Sequence, residues 1–118
     1  MISLVNFINT FKKDLISSEN DNCKKFFFKS NLHIIISLEI ASSSILDQKI
    51  NYLMLKSLIP SSLGDENQIK KILNEGTLKN FYIRRNYFNK NKNSYYKISK
   101  QFSLMITNWY LDNKAKLN

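Results

Sequence analysis

The residues of this chain best placed to do chemistry are cations. From Gly76 to Leu111 there is no Asp or Glu, while Lys79, Arg84, Arg85, Lys90, Lys92, Lys97 and Lys100 all fall in that span. A surface that gathers cations and excludes carboxylates has a positive potential, and its natural partner is a polyanion. Catalytic groupings do not stand out. No nucleophile sits beside a base, no carboxylates pair in an apolar setting, and two glycines in the whole chain leave no phosphate-cradling loop. No enzyme activity, cofactor or metal is expected. His33 has no Cys/His cluster near it and reads as a structural histidine. Cys23 stands alone without a neighbouring base, which favours a buried or idle thiol and a cytoplasmic compartment.

The total charge says less than its placement. The formal net charge is +9, and 16 of the 18 basic residues are Lys. Asn and Ile are also abundant, a bias of AT-rich coding that raises Lys without selecting a binding surface. The length of 118 residues fits one domain, 1–118, and an apolar fraction of 43% is adequate for its core. The first residues lack a basic segment ahead of their apolar ones, so no signal peptide is read there. No uncharged apolar run approaches the roughly 18 residues of a membrane-spanning helix.

Apolar spacing supplies the elements that must position these cations. Leu4, Ile8, Phe11 and Leu15 mark one face of a helix over about 2–16. A polar cluster at 17–22 reads as loop, and Phe26, Phe27 and Phe28 cannot all share one side, so at least one must meet another element or chain. Leu32, Ile35, Ile36 and Ile40 predict a helix over about 31–42, ended by three serines. Ile50, Leu53, Met54 and Leu58 predict a third, with Asp47 as candidate N-cap and a stop before Pro60. After a tight connection at 60–64, Ser62 or Asp65 can cap a fourth helix whose inner face is Ile69, Ile72, Leu73 and Gly76. Gly76 costs that helix about 1 kcal/mol relative to Ala, which points to close packing. Asn80 suits a left-handed residue after the helix. Strands at 81–83 and 95–98 flank an Asn/Lys hairpin tip at 89–94. Ser99 then caps a last helix with the stripe Phe102, Met105, Ile106, Trp109 and Tyr110, leaving Lys114 and Lys116 in a frayed tail.

Two helices joined by a short turn, followed by a basic hairpin, have the order of a winged helix-turn-helix. The helices are those over 47–59 and 65–79, and the wing is 81–98. The runs IPSSLGDENQIKKILNEGTLKNFYIRR and NKNKNSYYKIS resemble the core of winged-helix regulators of the MarR type. The resemblance covers about 31–99. It implies a mainly α fold with a small β-hairpin wing, flanked by N- and C-terminal helices (1–30 and 100–118) that form a homodimer. It further implies a transcription regulator that binds double-stranded DNA, with helix 65–79 in the major groove. On that resemblance Asn67, Gln68, Lys70 and Lys71 face the groove, Ser61 and Ser62 donate to phosphate, and Arg84, Arg85, Lys90, Lys92 and Lys97 belong to the wing. The sequence names no small-molecule effector.

Other readings stay open. Lys70 and Lys71 also suit an ordinary solvated helix face, and Lys on a hairpin also protects edge strands. Asp65 and Glu66 at the helix entrance would repel DNA, which fits a winged-helix protein-interaction module instead. Tyr82, Tyr87, Tyr95 and Tyr96 could stack on RNA bases, although alternation on the hairpin would send some of them into the core.

Overall fold

The structure, a computed structural model, describes residues 2–17, 21–86 and 94–117. Its elements are α1 (Ile2–Ser17), α2 (Asn22–Phe27), α3 (Asn31–Ile45), β1 (Ile50–Asn51), α4 (Tyr52–Leu58), α5 (Glu66–Leu78), β2 (Tyr82–Arg85), β3 (Tyr95–Ile98) and α6 (Lys100–Leu117). The fold is mainly helical with one small antiparallel sheet, in strand order β1-β3-β2. Strand β3 is central: Tyr96 pairs with Ile50 on one side and Arg84 on the other.

The core forms where α2, α3, α5 and α6 close over the sheet. Phe27, Ile36, Ile40, Leu55 and Phe102 are fully buried there. The three consecutive phenylalanines divide among separate neighbours. Phe26 packs on Phe81, Tyr82 and Phe102, Phe27 on Phe102 and Trp109, and Phe28 on Phe11 and Trp109. A helix makes this possible by turning successive side chains about 100° apart. That helix, α2, starts at the last residue of the polar cluster read as loop and covers residues to which the sequence reading gave no element. It forms because the Asp21 carboxylate accepts from the Cys23 and Lys24 N–H groups at 2.9 and 3.1 Å.

Four further elements, α3, β1, α4 and α6, differ from the sequence reading. The serines at 42–44 do not end α3: the Ser44 hydroxyl donates to Ile40 O (2.9 Å) and accepts from Ile98 N–H (3.0 Å), tying the helix to β3. Ile50 is a strand residue and not the start of a helix, because pairing with Tyr96 satisfies its backbone and buries its side chain. The cap of α4 is then Asn51, which accepts from Met54 N–H at 2.9 Å, while Asp47 sits in a left-handed turn at φ 53°. Helix α4 thus starts at Tyr52, four residues after the start implied by an Asp47 cap, and turns another face inward. Leu55 and Ile59 face inward, and Leu53, Met54 and Leu58 are exposed. At the C-terminal end, α6 runs on through the region read as a frayed tail, with Asn113 Nδ2 donating to Trp109 O at 2.8 Å.

Other expectations agree with the structure. Asn80 is left-handed at φ 62°, and the bonds from Phe81 N–H to Gly76 O (2.9 Å) and from Asn80 N–H to Thr77 O (3.1 Å) close the end of α5 as a Schellman motif. This motif delivers Phe81 into the core and aims β2. Ser99 caps α6, accepting from Phe102 N–H at 3.2 Å. The terminal helices α1 and α6 pack against each other. Only Phe7, Thr10 and Phe11 among the described side chains of α1 turn toward the molecule, which leaves Leu4, Val5 and Ile8 exposed.

Candidate nucleic-acid interface

Helix α5 sets its chemistry by how it starts. The Asp65 carboxylate accepts from Gln68 N–H (2.9 Å), and Gln68 Oε1 accepts from Asp65 N–H (2.8 Å), a reciprocal capping box. Asp65 is therefore engaged with backbone at the positive end of the helix dipole. Glu66 is held by two lysines, Lys70 at 2.9 Å and Lys56 of α4 at 3.5 Å. The hydrogen bond from Lys70 and the charge of Lys56 hold its carboxyl below the usual range. The two acids at the helix entrance are thus matched, one by the backbone and one by two cations.

Burial of Ile69, Ile72, Leu73 and Gly76 fixes which face of α5 is free. The outward face carries Asn67, Lys70, Lys71, Asn74 and Leu78, all exposed. Lys70 lies over the Tyr52 ring at 5.0 Å as well as beside Glu66. Lys71 has no ion pair among the described residues. Gln68 is exposed, but its carbonyl oxygen is committed to the cap. Ser61 and Ser62 lie in the exposed turn before α5, and Ser62 shares a cleft with Gln68 and Lys71.

The hairpin divides its cations. Pairing of Arg84 with Tyr96 and of Arg85 with Tyr95 sends the two arginines to opposite faces, and Lys97, opposite Ile83, lies on the Arg85 face. Lys90 and Lys92, with Tyr87, lie outside the described residues. Tyr82 and Tyr96 are buried, and Tyr82 shares a 2.6 Å hydrogen bond with Ser37. Burial pushes the Tyr82 phenol well above its ordinary value. Neither ring offers a stacking surface, and half-buried Tyr95 lies under Lys49 at 5.3 Å.

Two groups weighed as chemical candidates are structural in their surroundings. His33 is 7% exposed, its Nδ1 lies 2.6 Å from Ser30 Oγ, and its ring meets the Phe26 ring edge-on at 5.0 Å. Burial, then the nearby Lys29, lowers its pKa, so it is neutral at pH 7. Burial, then Asp21, pushes the Cys23 thiol up, which removes its nucleophilic form. No cluster of metal-ligating side chains occurs among the described residues. None of their helices is long and apolar enough to cross a membrane.

Sequence reasoning overlooked Asn74 and Tyr52. Asn74 stands seven residues after Asn67, two helical turns along the same face, so periodicity held that signal. Tyr52 held none, since its place beneath Lys70 depends on how α4 meets α5. Comparison of the chain with protein-family models, curated proteins and solved structures finds no match.

Proposed function

We propose that this chain is a DNA-binding transcription regulator with a MarR-like winged helix-turn-helix. In this reading α4 and α5 are the helix-turn-helix, α5 lies in the major groove, and the β2–β3 hairpin is the wing. The observation that carries it is the outward face of α5, where Asn67, Lys70, Lys71 and Asn74 stand exposed beside the cation-bearing hairpin. Asn can bind adenine edges bidentately, and Lys reaches guanine or phosphate. Topology supports the same reading: the hairpin follows directly on α5 and is fastened through β1 to the segment that leads into α4. The pairing of Glu66 with Lys56 and Lys70 lessens the repulsion expected at the helix entrance. The protein acts as a homodimer through α1 and α6, a role supported by the exposed Leu4, Val5 and Ile8 of α1 and Leu104 and Leu111 of α6. Fluorescence anisotropy on duplex DNA at two salt concentrations tests the function. Affinity should fall steeply with salt. Binding that ignores salt, or no binding at low salt, rejects it.

One observation favours a second reading. Leu53, Met54 and Leu58 of α4 are 59, 47 and 56% exposed, an apolar surface suited to a protein partner. In that reading the winged helix is a protein-interaction module. Changing Lys90 and Lys92 to Glu separates the two, because DNA binding that survives unaltered removes the wing as a nucleic-acid contact.

A further inference from the structure

Two arginines adjacent in sequence leave the hairpin on opposite sides, and only one of them meets the helix pair. Arg84 pairs with Tyr96, which is buried on the core side of the sheet. Directly opposed residues share a face, so Arg84 projects toward α4 and α5 and Arg85 projects away. There Arg84 lines a cleft of about 360 Å³ with Tyr52 of α4, Glu66, Lys70 and Asn74 of α5, and Ser94 at the start of β3. Arg84 is exposed and pairs with no described carboxylate. Ser94 donates to Asn86 Oδ1 at 3.1 Å, which ties together the two strands where they border the cleft.

We propose that this cleft seats one backbone phosphate of double-stranded DNA, with the Arg84 guanidinium as the main contact and the Asn74 amide beside it. The proposal rests on the DNA-binding reading and adds which groups hold the strand between helix and hairpin. A guanidinium presents a planar fork of N–H donors that matches two phosphate oxygens, and the Asn side-chain amide adds a third donor. Among the described residues Glu66 is the one carboxylate that lines the cleft. It stands eight residues before Asn74, about 12 Å along the helix at roughly 1.5 Å per residue. That exceeds a Debye length of about 8 Å at physiological salt, and Lys56 and Lys70 already hold that carboxylate. The inner end of the cleft therefore belongs electrostatically to Arg84. Arg85 shares its face with Lys97 and Tyr95 and reaches no part of this cleft.

The test compares Arg84→Gln, Arg84→Lys, Arg85→Gln and Asn74→Ala for binding to a labelled duplex across a salt series. All three sites are exposed, and a melting curve for each variant checks that it folds. Arg84→Gln should weaken binding roughly tenfold, as for a lost hydrogen bond to a charged group. Its log–log salt slope should become shallower by about 0.9, the signature of one lost phosphate contact. Arg84→Lys should restore the slope but not the full affinity. Asn74→Ala should weaken binding at unchanged slope, and Arg85→Gln, on the other face of the hairpin, should weaken it clearly less than Arg84→Gln. Arg84→Gln with a wild-type slope, or an equal loss in Arg85→Gln, overturns the phosphate seat while DNA binding stands. A wild-type protein that binds no duplex at all overturns both.

Discussion

Gly76→Ala tests the packing that holds α5 against the hairpin. An Ala Cβ there would lie 2.5 Å from Tyr82 Cε2 and closer still to Cδ2. Neither side can retreat easily. The Tyr82 ring is 1% exposed and its hydroxyl is bonded to Ser37 at 2.6 Å, while Gly76 O accepts from Phe81 N–H in the helix cap. Helix propensity alone would make Ala better by about 1 kcal/mol. Overpacking costs about 1–3 kcal/mol. If the ring moves far enough to break the Tyr82–Ser37 bond, two buried hydroxyls lose their partner, adding about 1–3 kcal/mol. With the Tyr82–Ser37 bond broken the net expectation is destabilisation by about 1–5 kcal/mol, or roughly 4 °C in melting temperature for each kcal/mol. Urea unfolding measures it. A Gly76→Ala protein as stable as the wild type, or more so, refutes the close approach. The double variant with Tyr82→Leu is a second check: with the ring gone, Gly76→Ala should cost much less in that background.

Glu66→Gln should raise duplex affinity by less than about twofold at low salt, since that carboxylate lies about 12 Å along α5 from Asn74 and is already paired with Lys56 and Lys70. Anisotropy titration reads the change, and a weaker variant would mean that Glu66 orders Lys70 for binding. His33 has its folded pKa depressed, mainly by burial, so the unfolded chain takes up this proton first. Its contribution is intact above the ordinary histidine pKa near 6.5 and is lost as pH falls below that value, by at most about 1.4 kcal/mol per pH unit. Urea midpoints should therefore drop as pH falls below about 6.5, and His33→Gln should flatten that limb; an unchanged limb rejects the assignment. Changing Leu4 and Ile8 to Glu should convert a dimer to a monomer in sedimentation while leaving the melting curve nearly unchanged, because both side chains are about half exposed.

Sequence patterns reached far where the signal is local. The start of α5 was legible to within two candidate caps, Ser62 and Asp65, of which the structure uses Asp65, and so was its end at Asn80, where a left-handed backbone suits Asn. The inner face of α5 followed from spacing alone. The pattern failed at α4. Ile50, Leu53, Met54 and Leu58 make a plausible helical stripe, but Ile50 pairs with Tyr96, a residue 46 positions away. That one long-range ladder converts the first turn of an expected helix into strand and rotates the rest. Helix α2 escaped notice because its six residues are too short for a periodic signal, and a capping Asp with aromatic contacts sustains it.

What the sequence determined by itself was the distribution of charge, the absence of carboxylates from 76 to 111, and the left-handed end of α5 at Asn80, because a turn of that kind depends on neighbours within a few residues. The tertiary structure decided which cations can act together. Register on β3 turned Arg84 and not Arg85 toward α4 and α5, and the approach of α4 to α5 brought Lys56 to the carboxylate that Lys70 already holds. Those are relations between segments distant in sequence, and only packing of the buried core fixes them.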